Sequence, residues 1–534
     1  MTSVLKSVLK ARKARLAIVS LLCSSQLALG EPAAPAPPAS LSPAAQPSLL
    51  GTQSGMITLD YAKITLSNGG SFDLFGVHYL QQLNSWLYGG FGFSTPLVEG
   101  NYGGFFAADA TLHAQVNLYG NWFATGGLAF GAGAGGSSVS NIITLSGDGT
   151  YMRGYVGLGY DFGHSRAGVN LARITIANSQ INDTTLNFFF QKPLSFAAGG
   201  YADTGRPLGP ADFGRNWNET NVSFEFNYLN QIDPTGSYTG ALGLVSSQIS
   251  TYMRKNTYAF IGLDLGTSGL VWYNQAQIGA GRRVPLGEKL ALYGQIGIGS
   301  GGWVTSAFDT GPGLVVYPKV RLEYALSESL AASLSAGYLF APLGTSKNWS
   351  LGAGLNYRLP SAQQARAGAG QRGVTLRGLR SNVFMRRVMQ PEANGNPLDD
   401  MNLLTFQIDY SLGGNWYIPF QIAAATDDYA GYAGYVEGLA GLGWQSDPFA
   451  SGRLQAYAQL LTGMNDAISN PGPLLYPSAG LIYNMDGGLS LYTQLGKTLS
   501  LGQIIDPQST NSFESLSLGL GLSYAFSRPA WARR

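Results

Sequence analysis

The chain has 534 residues, 12% of them charged, 45% hydrophobic and 12% aromatic, with 73 glycines, three histidines, one cysteine and a formal net charge of +2. A soluble globular protein carries roughly 25% charged residues, so something other than a charged surface keeps this chain in its solvent. The near-neutral balance argues against nucleic acid as a partner, and so few histidines and cysteines argue against a metal centre built from them.

In chain order, Lys6, Lys10, Arg12, Lys13 and Arg15 precede the apolar run "LAIVSLLCSSQLALG", which closes on Ala28 and Gly30. This reads as a secretory signal peptide over 1–30. Neither this run nor any later stretch reaches the ~20 apolar residues of a spanning helix. Cleavage would remove Cys23. A lipoprotein site at Cys23 is the alternative, but Leu22 stands where such sites carry a small residue. Residues 31–55, opening "EPAAPAPPASLSPAAQPSLL", read as an extended Pro/Ala tether.

From Met56 onward the dominant period is two, in runs of about ten residues separated by turn residues. In "FFAADATLHAQV", Asp109, Thr111, His113 and Gln115 fall on one face, and Ala108, Ala110, Leu112, Ala114 and Val116 on the other. In "VYPKVRLEYAL", Tyr317, Lys319, Arg321 and Glu323 oppose Val316, Val320, Leu322, Tyr324 and Leu326. Short connections (Leu83–Ser85, Tyr119–Asn121, Gly163–Ser165, Arg254–Asn256, Met485–Gly488) alternate with long ones (Gly131–Gly149, Gly299–Gly313, Thr462–Pro473, Gln503–Asn511). That asymmetry predicts an antiparallel transmembrane β-barrel.

The pattern repeats. Gly311–Gly337 and Asn470–Gly496 align without gaps through Tyr-Pro, Tyr and Gly. Lys289–Gly299 parallels Arg453–Gly463, and "WFATGGLAFGAG" with "YMRGYVGLGYDF" follows more loosely. The expectation is therefore an all-β chain of about 24 strands in three homologous units. The units are 56–193, 219–360 and 374–526, joined by linkers 194–218 and 361–373 and followed by a tail, 527–534. The even strand count puts the tether, both linkers and the C-terminus on the short-turn side. Long linkers favour three small barrels, whereas the rarity of tandem barrels favours one large ring, the reading given slight preference.

The closing stretch "GLSYAF", with Gly521, Tyr524 and Phe526, resembles the C-terminal assembly signal of Gram-negative outer-membrane barrels. It departs from that pattern in the eight residues that trail Phe526 and in Gly519, where a polar residue is usual. The resemblance implies residence in the outer membrane of a Gram-negative bacterium, periplasmic N- and C-termini, contact with lipid and lipopolysaccharide, and delivery by the barrel assembly machinery. "ARITIANSQINDTTLNFFFQKP", Ala172–Pro193, resembles the penultimate hairpin of outer-membrane lipid A deacylases, whose His and Ser stand two residues apart. Ile174, Thr175 and Ile176 occupy the corresponding segment, so the resemblance implies a catalytic pair that this sequence lacks.

No catalytic residue, metal site or cofactor is expected. The glycine run Gly131–Gly136 lacks the Lys-Ser/Thr of a phosphate loop. Asp109, Thr111 and His113 lie too far apart along one strand for a nucleophile–base relay. Asp109, Thr111, His113, Arg153, Asp161, Lys319, Arg321 and Glu323 are read as lumen-lining. The arginine-rich stretch Arg366, Arg372, Arg377, Arg380, Arg386 and Arg387 reads as a solvated linker and strand end, with contact to anionic lipopolysaccharide or polymer as the functional alternative. The leading functional expectation is a channel or exporter for a hydrophilic solute or polymer such as polysaccharide, working with a periplasmic export partner. A structural or surface-attachment barrel and a lipid A-modifying relic are the alternatives.

Overall fold

The structure, a computed structural model, describes residues 48–532 except 137–138, 140–144, 146, 148, 210, 215–216, 272, 303–305, 369–372, 394, 428–434, 468–469 and 502–512. The signal-peptide segment and most of the Pro/Ala stretch lie outside the described residues.

Alternation of side chains across a pleat builds nearly everything that follows. Barrel one comprises β1 (Gly51–Thr65), β2 (Ser71–Gln82), β3 (Leu87–Thr95), β4 (Phe106–Asn117), β5 (Trp122–Ala134), β6 (Thr150–Asp161), β7 (Arg166–Ile176) and β8 (Asn182–Ala198). It closes by antiparallel pairing of β1 with β8, from Gly51 opposite Ala198 to Ala62 opposite Asn187. Barrel two comprises β9 (Thr220–Gln231), β10 (Leu242–Arg254), β11 (Thr257–Ser268), β12 (Asn274–Pro285), β13 (Leu290–Gly302), β14 (Leu314–Ala325), β15 (Leu330–Phe340) and β16 (Lys347–Leu359), with β9 paired to β16. Barrel three comprises β17 (Val374–Ala393), the two-residue β18 (Asn396–Pro397), β19 (Met401–Gly413), β20 (Trp416–Ala425), β21 (Val436–Gln445), β22 (Leu454–Ala467), β23 (Asn470–Asn484), β24 (Leu489–Ser500) and β25 (Phe513–Trp531). It closes between β17 and β25.

Three rings form, then, rather than one large ring. A strand's alternation says which face is buried but not which strand pairs with it, and the closing pairs are β1–β8, β9–β16 and β17–β25. Each barrel begins and ends at the same end, where the turns 83–86, 118–121, 162–165, 255–256, 286–289, 326–329 and 414–415 lie. The longer connections 96–105 and 232–241 lie at the other end. β1 starts ahead of Met56, β8 runs past Pro193, and β25 continues through Pro529 to Trp531, so most of the expected tail is strand.

Thr462–Pro473, expected as a loop, is largely strand: β22 reaches Ala467 and β23 begins at Asn470. Pro471 and Pro473 are tolerated because the ladder between β23 and β24 begins only at Leu474, so neither missing N–H takes a bond from it.

The faces are inverted relative to a soluble sandwich. Along β14, Tyr317, Lys319, Arg321 and Glu323 are buried inside the ring, while Val320 and Leu322 are 52% and 41% exposed outside it. Leu128, Val156, Leu351 and Leu520 point outward in the same way. An apolar exterior around a polar interior is the arrangement that hydrocarbon requires of a closed sheet. These are antiparallel transmembrane β-barrels.

Glycine abundance follows from the tight curvature. In the fifth full-length strand of each ring (β5, β13 and β22, leaving aside the two-residue β18) one glycine sits where a Cβ would fall within 2 Å of a carbonyl oxygen on the fourth. A Cβ on Gly131 would lie 1.8 Å from Ala108 O, one on Gly299 1.9 Å from Ala276 O, and one on Gly463 1.9 Å from Gly438 O. Only glycine allows that approach, so all three rings bend at a matched position.

The barrels also touch one another. Between barrels one and two the loop backbones meet, Gly103 N–H donating to Gly311 O at 2.9 Å, and Asn274 Nδ2 donates to Gly104 O at 3.2 Å. Between two and three, Phe224 stacks on Phe420 with centroids 5.3 Å apart, and the Tyr357 and Tyr410 hydroxyls are 2.7 Å apart. Between one and three, Phe91 meets Phe406 and Phe196 meets Phe526. At the short-turn end the linkers pack together: Leu208, Phe213 and Trp217 from the first, Ala362 and Ala365 of the helix α1 (Ala362–Gly368) from the second, with Leu50, Val374 and Leu376.

Candidate functional site

The polar interiors carry the chemistry. In barrel one, β1 supplies Asp60, β2 His78, β4 Asp109, Thr111 and His113, and β6 Arg153, all buried. Arg153 Nη1 lies 3.0 Å from Asp60 Oδ1. His78 turns Nδ1 to Asp60 and Nε2 to Asp109, each at 3.2 Å. Because its two nitrogens face different carboxylates, the three groups do not converge on one point, and among the described residues no His, Cys, Asp and Glu side chains gather as a metal's ligand set. Thr111 donates its hydroxyl to Asp109, so these i, i+2 neighbours do reach each other by leaning along the strand, contrary to the sequence expectation. The hydroxyl meets the carboxylate and no imidazole. His113 Nδ1 lies 2.7 Å from the Tyr155 hydroxyl, and the nearby cavity, lined by His78, Thr125, Arg153 and Gln191 among others, is about 20 Å³. That is room for a water molecule and not for a substrate.

Barrel two repeats the base on its sixth strand and the acid on its first. Lys319 on β14 donates to Glu225 on β9 at 3.1 Å and to Asn227 at 3.0 Å. Ser335 also donates to Glu225. Arg321 lies over the Tyr293 ring, 4.8 Å from its centroid, and Glu323 accepts from Tyr293 at 3.0 Å and from Arg358. Asp264 accepts from the Gln275 and Gln277 amides.

Barrel three reverses the sense, with its bases on the first strand. Arg380 Nε donates to Asp409 at 2.8 Å, and Asn382 and Gln407 donate to the same carboxylate at 2.9 and 2.7 Å. Arg386 pairs with Glu437. Tyr457, Tyr492 and Phe384 fill the lumen, with the first two stacked at 5.1 Å. Tyrosine rings lie over neighbouring-strand glycines, Tyr417 against Gly443 and Tyr476 against Gly496.

Seven of the eight lumen candidates are buried inside the rings: Asp109, Thr111, His113 and Arg153 in barrel one, and Lys319, Arg321 and Glu323 in barrel two. Asp161 is not among them. It lies at the end of β6, partly exposed, bonded to Arg166 Nε at 2.7 Å and to the Gly163 N–H. Arg380 and Arg386, which the sequence places in a solvated linker and strand end, are 2% and 1% exposed in the interior, because along β17 they share a face with Asn382 and Phe384 while Leu379, Val383 and Met385 take the other. Sequence reasoning also missed Asp60, His78, Glu225, Asp409 and Glu437. Each sits at an inward position of an alternating strand, which was the available signal.

Tyr524 and Phe526 share the outward face, whereas Gly521 points inward against Phe384. Barrel one covers both aromatics: Tyr524 donates to Gln53 Oε1 at 2.8 Å, and the Phe526 ring centroid is 5.8 Å from that of Phe196. At the long-loop end, Glu99 is held below the ordinary carboxylate range, chiefly by the hydrogen bond from Lys63 and then by that from Ser71. β7 carries Ile174, Thr175 and Ile176, so its wall has no His–Ser pair of the lipid A deacylase kind.

No family model matches the chain, and no relative is found among curated proteins. Among solved structures it is similar to a de novo designed transmembrane β-barrel, at 14% identity over 26% of this chain and 95% of that one, with a TM-score of 0.19. It is also similar to Pseudomonas aeruginosa OpdQ, at 10% identity over 90% and 98% of the respective chains, with a TM-score of 0.20. A bacterial polysaccharide outer membrane secretin matches at 9% identity over 58% of this chain and 98% of its own, with a TM-score of 0.20. At these scores the likenesses carry no argument about function, which rests on the geometry above.

Proposed function

We propose that this is an outer-membrane protein whose barrel interiors form narrow paths for hydrophilic solutes of ionic size, with both termini in the periplasm. The observation that supports it is the file of polar and charged side chains inside every ring, crossed by Arg153–Asp60, Lys319–Glu225 and Arg380–Asp409. Eight-stranded rings have side-chain-filled interiors, so a polysaccharide strand has no room in any one of them. Passage through a ring requires a crossing pair to open. Planar-bilayer recording of the purified protein tests this. Small unitary currents are expected, and Glu225→Gln should raise the open fraction by freeing Lys319. Silence from inserted, folded protein, both native and Glu225→Gln, would sink the conduit reading.

A second reading, a membrane scaffold that displays its long loops, is favoured by the packing of the interiors and by the three inter-barrel seams. It is the reading that silent bilayers would leave standing. In either case the Tyr524 and Phe526 face, covered by barrel one in the finished molecule, is open to the assembly machinery only before barrel one docks.

A further inference from the structure

Barrels one and three present tryptophans outward at their short-turn ends: Trp86 and Trp122 on the first, Trp416 and Trp444 on the third. Such rings belong at the headgroup level. The outward rim of barrel two has Tyr324 there and, among the described residues, no tryptophan. In that place stand Arg254, Lys255, Arg282 and Lys289, all exposed.

The backbone draws three of these cations together. Thr257 on β11 is paired with Arg254 on one side and Arg282 on the other, and Arg283 N–H donates to Asn256 O in the turn beside Lys255. Of the acids at this edge, Glu219 is spent on Arg283, which it binds through both carboxylate oxygens at 2.6 and 3.1 Å, and on Gln364, and Glu328 is exposed in the neighbouring turn 326–329. Glu288 is exposed in the same turn as Lys289. Among the described residues none of the four rim cations has an ion-pair partner. Met253, Val284 and Leu286 are interleaved with them and exposed, at 67%, 46% and 55%. The rim is thus cationic and apolar at once, at the level where the apolar band ends.

We propose that the short-turn rim of barrel two, formed by Arg254, Lys255, Arg282 and Lys289, binds the phosphate headgroups of anionic phospholipid. The interleaved apolar side chains enter the acyl region while the cations take the phosphates, which a free anion in water would not require. The proposal rests on the membrane reading but not on conduction.

The full chain is placed in nanodiscs of mixed phosphatidylglycerol and phosphatidylcholine, released, and weighed by native mass spectrometry for retained lipid. Native protein should be enriched in phosphatidylglycerol. Arg254→Gln/Lys255→Gln/Arg282→Gln should weaken retention roughly 100-fold, since each basic side chain near the surface contributes on the order of 1 kcal/mol. Lys347→Gln, at the opposite end of the same barrel, should leave retention unchanged. Equal retention of the two lipids by native protein, unchanged retention in the folded triple variant, or displacement of the lipid by inorganic phosphate would each overturn the proposal. A chain that does not enter nanodiscs would sink the membrane reading, and this proposal with it, before any lipid is counted.

Discussion

Asp409 shows how the interior is held. Three side chains, Arg380, Asn382 and Gln407, converge on its carboxylate inside a closed ring. Burial makes each member dependent on the others, because an ion stripped of its partner keeps the full desolvation cost. Asp409→Ala should therefore destabilise barrel three by about 3–5 kcal/mol in denaturant unfolding of the reconstituted protein. Replacing Arg380 and Asp409 together by leucine should cost less than the sum of the two single changes. Additive losses would show that the pair is not coupled. Arg380 is visible in the sequence, but its charge stands out there more than its place in an alternating run, so the sequence makes it look solvated.

At the scale of the strand, the matched glycines Gly131, Gly299 and Gly463 mark where each ring bends. Two of them end segments that align in the sequence, Lys289–Gly299 with Arg453–Gly463, so the repeat was legible although its purpose was not. The reason lies in the fourth strand, whose carbonyl oxygen occupies the space a Cβ would need. Gly299→Ala should cost roughly 1–3 kcal/mol. Gly294→Ala, in the same strand with nothing within 4 Å of the added Cβ, should stay within about 0.5 kcal/mol of neutral. Equal effects at both positions, measured by urea unfolding, would remove the close approach as the cause.

For the whole molecule, three rings joined by linkers on one side imply that the long loops share the opposite side. If the termini are periplasmic, as proposed, Ser237→Cys in the connection 232–241 should react in intact cells with a membrane-impermeant maleimide. Ser85→Cys in the turn 83–86 should react only after the outer membrane is permeabilised. Both residues are exposed, so accessibility alone does not separate them. The reverse labelling would invert the orientation and move the cationic rim of barrel two to the outer leaflet.

The sequence by itself determined most of the strands and their faces, the number of units and the parity that returns each unit to its starting side. All of these follow from a period of two and from turn lengths, which are local properties. Tertiary structure alone decided that each unit closes on itself, since closure is a pairing between strands a whole unit apart, as with Gly51 and Ala198 or Val374 and Trp531. It also decided which acid meets which base. Alternation puts Asp60 and Arg153 inside the same ring, but only the curvature of that ring brings their side chains to 3.0 Å across the lumen.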